Sequence, residues 1–203
     1  MEREPEMKRA VVIFAATLSC FSQAVRAGDG AEMHSNEIEV RGFSKGAPTV
    51  RAYFEKSITD TVAVNLSAFK TRGWDEVTVG PTYYLTPEMS VGVGFGTSRY
   101  AATDETTKSA HNTASAFGFW KADVWEAEVL VERYRRDPAP WYREGYVQRQ
   151  INDSVSVGLF ASTERGWGPR VSYAINGNLN VWVSLLVKRV GDATAVAGMM
   201  VSF

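Results

Sequence analysis

The chain has 203 residues, with 22 Lys and Arg against 23 Asp and Glu, for a formal net charge of −1. That balance excludes a general nucleic-acid binder, which would be basic. After Phe21 no apolar run approaches the ~18 residues of a helical membrane span, and the single cysteine, Cys20, leaves no intrachain disulfide.

Lys8 and Arg9 precede an apolar stretch from Ala10 to Phe21, and Ala24-Val25-Arg26-Ala27 offers small or short residues for cleavage before Gly28. A basic head, a short apolar middle and a small-residue exit predict a secretory signal peptide over residues 1–27. The acidic Glu2, Glu4 and Glu6 do not suit a basic head, so Met7 competes with Met1 as the start. Residues 28–36 form a short polar lead. From residue 37 to 203 apolar and polar residues alternate almost without pause, the signal of strands rather than helices. The alternation predicts strands over 37–44, 49–57, 61–71, 75–85, 89–100, 112–121, 124–134, 141–150, 154–163, 168–175, 179–188 and 193–203.

The turns repeat as well. Ile58-Thr59-Asp60-Thr61-Val62 recurs as Leu85-Thr86-Pro87-Glu88-Met89, Ile151-Asn152-Asp153-Ser154-Val155 and Ile175-Asn176-Gly177-Asn178-Leu179. A degenerate copy is Lys121-Ala122-Asp123-Val124-Trp125. These are turn-forming residues, and the copies lie about two strands apart. A second class of connection alternates with them, including Lys45–Pro48, the segment around Arg72-Gly73-Trp74, the long polar Ala101–His111, Asp137–Pro140, Arg165-Gly166-Trp167 and Gly191-Asp192. Both chain ends fall on the short-turn side.

Each strand has one apolar face. Val62, Val64, Leu66 and Ala68 share one; Met89, Val91, Val93 and Phe95 another; Leu179, Val181, Val183, Leu185 and Val187 a third. The opposite faces carry Ser, Asn, Gly and charges. In a soluble sandwich the apolar faces would meet in the middle; in a membrane barrel they face lipid, and alternation alone does not separate the two. The signal segment and the aromatics near strand ends (Trp74, Tyr83, Trp120, Trp125, Trp141, Trp167) favour lipid.

The C-terminus adds a specific cue. Gly198 lies five residues before the terminal Phe203, which resembles the C-terminal strand of Gram-negative outer-membrane barrels. The resemblance implies recognition by the barrel-assembly machinery, with Gly198, Val201 and Phe203 as the assembly signal. Val201 stands where a second aromatic is usual, and Val196 where a polar residue is usual. Hairpin rhythm and ending together resemble small porin-like outer-membrane proteins, with no specific family assigned. The expected fold is all-β, a closed antiparallel transmembrane barrel of about twelve strands, with ten as an alternative.

Inside such a barrel the charges form the main constellation. Glu39, Arg41, Arg51, Glu55, Glu126, Glu128, Glu132, Glu144, Arg170 and Lys188 are the candidate lumen-lining residues, with Glu76 adding to the acidic side. Tyr84, Tyr142, Tyr146 and Trp182 are candidates for stacking on saccharide rings. The leading reading is a channel for small hydrophilic solutes or saccharides in the cell outer membrane. The alternatives are a non-conducting structural or surface-interaction barrel, a lipid-modifying rim enzyme, and a soluble periplasmic β-sheet binding protein. An ion-pair network that plugs the interior is the competing role for the same charges.

Other motifs carry less. His34 and His111 are the two histidines, and His111 has Asp104, Ser109 and Ser115 near it in sequence. A Ser–His–carboxylate set is recognised by geometry, not order, and no catalytic residue is assigned. Gly92-Val93-Gly94-Phe95-Gly96 lies in mid-strand with no helix after it, so a nucleotide loop fails. No cofactor or metal motif is present. Arg72, Arg99, Arg133, Arg135, Arg136, Arg143 and Arg165 gather near the outer ends, where guanidinium groups suit lipopolysaccharide phosphates. The expected partners are outer-membrane lipid and lipopolysaccharide.

Overall fold

The computed structural model describes residues 36–100, 109–133, 141–189 and 191–203. The signal segment, His34, Asp104, Arg135 and Arg136 lie outside them. The strands are β1 (Glu37–Phe43), β2 (Thr49–Thr59), β3 (Val62–Lys70), β4 (Trp74–Thr86), β5 (Met89–Tyr100) and β6 (Ser109–Ala122), followed by β7 (Trp125–Arg133), β8 (Trp141–Gln150), β9 (Val155–Ser162), β10 (Gly166–Asn176), β11 (Leu179–Arg189) and β12 (Asp192–Ser202). Each is antiparallel to its sequence neighbours, and β1 pairs with β12 from Glu37↔Ser202 to Phe43↔Val196, closing the barrel. Closure leaves no free sheet edge. Every expected strand is present, with ends shifted by three residues or fewer. The largest shift is at β6, which begins at Ser109, so His111 is a strand residue and not part of the long connection.

The side chains explain why one kind of turn recurs. Its second residue accepts backbone N–H groups that the ladder leaves unpaired. Thr59 Oγ1 accepts from Thr61 N at 3.3 Å and Val62 N at 3.1 Å. Thr86 Oγ1 accepts from Glu88 N at 3.2 Å. Asn152 Oδ1 accepts from Ser154 N at 3.0 Å and Val155 N at 2.9 Å, and Asn176 Oδ1 from Asn178 N and Leu179 N at 2.9 Å each. Short polar side chains favour this local bonding. In the degenerate copy Ala122 has no acceptor, and the chain turns through Asp123 with φ of 49° instead, a left-handed conformation that Asp tolerates.

The start of β1 and the end of β12 lie at the same end of the barrel. Phe203 N donates to the Asn36 carbonyl at 2.9 Å, and Asn36 Oδ1 accepts from Glu55 N at 2.8 Å. The last residue of the polar lead is therefore bonded into the wall.

Apolar side chains point outward. Val64 is 43% exposed and Val183 56%, and Val91, Val157, Leu159 and Leu185 are exposed as well. Most buried positions are instead polar, among them Asn65, Glu76, Thr78, Thr82, Ser90, Ser172 and Ser184. This is the inverse of a water-soluble domain. Trp120, Trp125, Tyr83 and Tyr173 are exposed towards the short-turn end, and Trp141 and Trp167 towards the other. Two aromatic belts at the rims match the girdles of outer-membrane barrels. Trp74 departs from the expectation: it turns inward, 4.7 Å from the Phe69 ring and edge-on to Tyr142 at 6.3 Å.

Candidate functional site: the barrel interior

The period of two fixes what enters the interior. On β7 it places Glu126, Glu128, Leu130 and Glu132 on one face; on β1 it places Glu37, Glu39 and Arg41 there; on β2, Arg51, Tyr53 and Glu55. With Glu76 of β4 and Glu144 of β8, eight glutamates among the described residues face inward, against Arg41, Arg51 and Arg170. Of the expected lining residues, Lys188 is the exception. It is exposed at the rim, one residue before the end of β11. Glu37 was missed by the sequence reading, although it shares the parity of Glu39.

The centre is a cross-barrel network. Arg41 Nη1 donates to Glu144 Oε1 at 2.6 Å, and Arg51 Nη1 donates to the same oxygen at 3.3 Å. Arg41 Nε donates to Glu39 Oε2 at 2.6 Å. Since β1 and β8 are five strands apart around the closed sheet, the Arg41–Glu144 pair bridges nearly opposite walls. Tyr142 O–H donates to the other Glu144 oxygen, and Trp182 Nε1 donates to Glu39 Oε1 at 2.6 Å. Both central carboxylates are thus held at both oxygens, as burial of a charge requires.

Two smaller groups sit towards the short-turn end. Glu55 accepts from Tyr53 O–H at 2.5 Å and from Tyr84 O–H. Glu126 accepts from Tyr146 O–H at 2.6 Å and from Gln148 Nε2 at 3.2 Å, and Gln148 Oε1 accepts from Ser172 at 2.9 Å. Each aromatic that the sequence offered for stacking is therefore tied by its polar group to an interior glutamate. Trp182 is more confined: only 1% exposed, 5.3 Å from Phe160, with Arg170 at 4.4 Å and Arg41 at 5.4 Å from its ring. It offers no free face to a sugar. Phe160, Trp182, Leu186 and Val196 make an inward apolar patch that the sequence reading did not foresee. Their parity with Ser162 and Ser184 was the available signal.

Gly198, read as part of the assembly signal, also has a packing role. It lies opposite Trp182 in the β11–β12 ladder, and a Cβ there would sit 2.2 Å from the indole nitrogen. Gly198→Ala is expected to destabilise the barrel by about 1–3 kcal/mol through overpacking, read as a lower temperature for conversion from the compact to the slow gel form. An unchanged temperature would mean Trp182 moves aside freely.

A cavity of about 40 Å³ remains between the walls, lined by Glu37, Arg51, Tyr53, Asn65, Ser67, Ser115, Phe117, Glu128, Leu130 and Glu132. A water needs ~10–15 Å³ of such space, so this cavity holds a guest of two or three heavy atoms and not a sugar ring.

His111 pairs in register with Ser98, and Ser115 lies on its own strand face four residues on, roughly 13 Å along the strand. Among the described residues no hydrogen bond joins His111 to a serine or a carboxylate, so no nucleophile–base pair is assembled. At the rim, Arg165 lies 3.7 Å over the Phe43 ring and donates to the Lys45 carbonyl at 3.1 Å, while Arg99 pairs with Asp75 at 3.2 Å. Arg72, Arg133 and Arg143 are exposed. Lys45 donates to Asp192 at 2.9 Å, and that hydrogen bond holds the exposed Asp192 carboxyl below its usual range.

Solved structures share this architecture. The KdgM porin aligns with a TM-score of 0.54 at 12% identity, covering 82% of this chain and 99% of that one. The fold is that of porin-like outer-membrane barrels. Outer membrane phospholipase A from Escherichia coli aligns with a TM-score of 0.51 at 10% identity, over 83% of this chain and 90% of that one. Acinetobacter baumannii Omp33 aligns at 0.50 and 12% identity, over 84% and 98%. The sequence matches no family model and no curated protein. Porins and an enzyme thus share one barrel, and the chemistry has to be read from this chain's own interior.

Proposed function

We propose that the protein is an outer-membrane channel for small hydrophilic solutes, with a preference for cations. The observation that carries this reading is the excess of inward glutamates over inward arginines in a closed barrel whose apolar face points out. A wall of one sign concentrates the opposite ion, and an unpaired interior carboxylate is tolerated where water reaches it. A solved KdgM structure is in complex with disordered oligogalacturonate, an anionic saccharide. The acidic interior here suits that charge poorly, which favours neutral or cationic solutes. The outward apolar belt supports residence in the outer membrane, contact with its lipid and lipopolysaccharide, and insertion by the barrel-assembly machinery. The assay is a planar bilayer under a KCl gradient. The wild type is expected to pass cations preferentially. Replacing Glu126, Glu128 and Glu132 together with Gln is expected to bring the reversal potential towards zero, and an unchanged potential removes these residues from the path.

A non-conducting barrel is the second reading. The Arg41–Glu144 bridge and the apolar patch around Trp182 favour it, because together they cross the interior. Absence of single-channel steps from refolded protein would select it.

A further inference from the structure

Glu37, Glu128 and Glu132 stand apart from the other interior carboxylates. Among the described residues, none of the three has a hydrogen-bond or ion-pair partner, whereas Glu39, Glu55, Glu76, Glu126 and Glu144 each have one. All three line the 40 Å³ cavity. Glu132 is only 6% exposed, so its carboxylate is turned into that space without a partner. Leaving a buried carboxylate uncompensated is costly, and a guest with positive charge would remove the cost. Arg51 lines the same cavity and attracts all three carboxylates, but its hydrogen bond goes to Glu144 at 3.3 Å, so none of the three is directly paired.

The rest of the lining narrows the guest. Phe117 and Tyr53 meet edge to face at 5.7 Å on the cavity wall. Phe117 can lie there because Gly92 has no side chain: a Cβ at Gly92 would be 2.2 Å from the ring. Asn65, Ser67 and Ser115 add neutral oxygen atoms. No group of three acidic, His or Cys side chains among the described residues is close enough to hold a metal ion. Spaced carboxylates beside aromatic rings suit a small alkylated ammonium ion, which gains both ion pairing and cation–π attraction.

We propose that this cavity is a binding subsite for the smallest organic ammonium ions, of methylammonium size, with Glu132, Glu128 and Glu37 taking the charge and Phe117 and Tyr53 the methyl group. The proposal deepens the channel reading by naming a solute class, and it rests on solutes reaching the interior. The probe is methylammonium chloride, small enough for this cavity, titrated calorimetrically into the folded protein in detergent against KCl at equal ionic strength. Saturable binding is expected that KCl does not reproduce, weakened about tenfold in Glu132→Gln, the loss of one charge-assisted contact, and weakened again in Phe117→Leu. Glu88→Gln, in an exposed turn, serves as the control. If Glu132→Gln does not reach the compact gel form, Glu128→Gln takes its place. Equal heats from the two salts, or unaltered affinity in the glutamate variant, overturns the subsite. Bilayer recordings separate the two ideas: binding without conductance removes the channel and keeps the subsite, and conductance without binding does the reverse.

Discussion

Replacing Arg41 with alanine is expected to destabilise the barrel by about 3–5 kcal/mol, the usual cost of removing one partner from a buried ion pair. Arg41 bonds Glu39 and Glu144 at once, at 2.6 Å each, and its guanidinium lies 5.4 Å from the Trp182 ring. Its loss leaves Arg51, at 3.3 Å, as the cation on Glu144. The measurement is urea unfolding in detergent or lipid, followed by Trp fluorescence. Arg41→Lys is expected to recover only part of the loss, because an ammonium cannot reproduce the guanidinium fork. A change below about 1 kcal/mol would show the pair to be screened as exposed pairs are, and so set in water. The same variant bears on transport. If the Arg41–Glu144 bridge narrows the path, single-channel conductance rises in Arg41→Ala.

The second large effect concerns the outer face. Val183 lies near the middle of β11, paired with Val171 and Ala197, and is 56% exposed. On a water-facing surface Val183→Arg would change stability by no more than about 0.5 kcal/mol. In a lipid-facing position near the bilayer midplane it is expected to cost about 2–4 kcal/mol. The test is reversible folding into phospholipid vesicles, compared with Lys188→Ala at the exposed rim, where little change is expected. A neutral Val183→Arg would place this face in water and return the chain to the class of soluble sheet proteins.

Several parts of the fold were legible because they depend on neighbours in sequence. The turn phrase is one: Asn152 and Asn176 each accept hydrogen bonds from residues two and three positions on, so the motif carries its own geometry. The alternation on β5, with Ser90, Gly92, Gly94 and Gly96 against Val91, Val93 and Phe95, is another. It assigned each residue a face before any partner strand was known. Parity also marked Glu126, Glu128 and Glu132 as one set. Lys188 shares the inward parity of its strand, but parity carries no height, and this residue lies at the exposed rim. Trp74 was misplaced for a related reason. A tryptophan at a strand end suits a girdle by composition, while the packing of Phe69 and Tyr142 draws this one inside.

The sequence by itself determined the strand positions, the turn chemistry and the two faces, since each follows from a period of two and from contacts a few residues apart. Tertiary structure alone decided which interior charges meet. Arg41 and Glu144 are separated by 103 positions, and only closure through β1 and β12 turns their two strands towards each other across the barrel. The same closure left Glu37, Glu128 and Glu132 around one cavity without partners. Pairing across a barrel is set by circumference, stagger and side-chain reach, none of which is written in the local pattern of a strand.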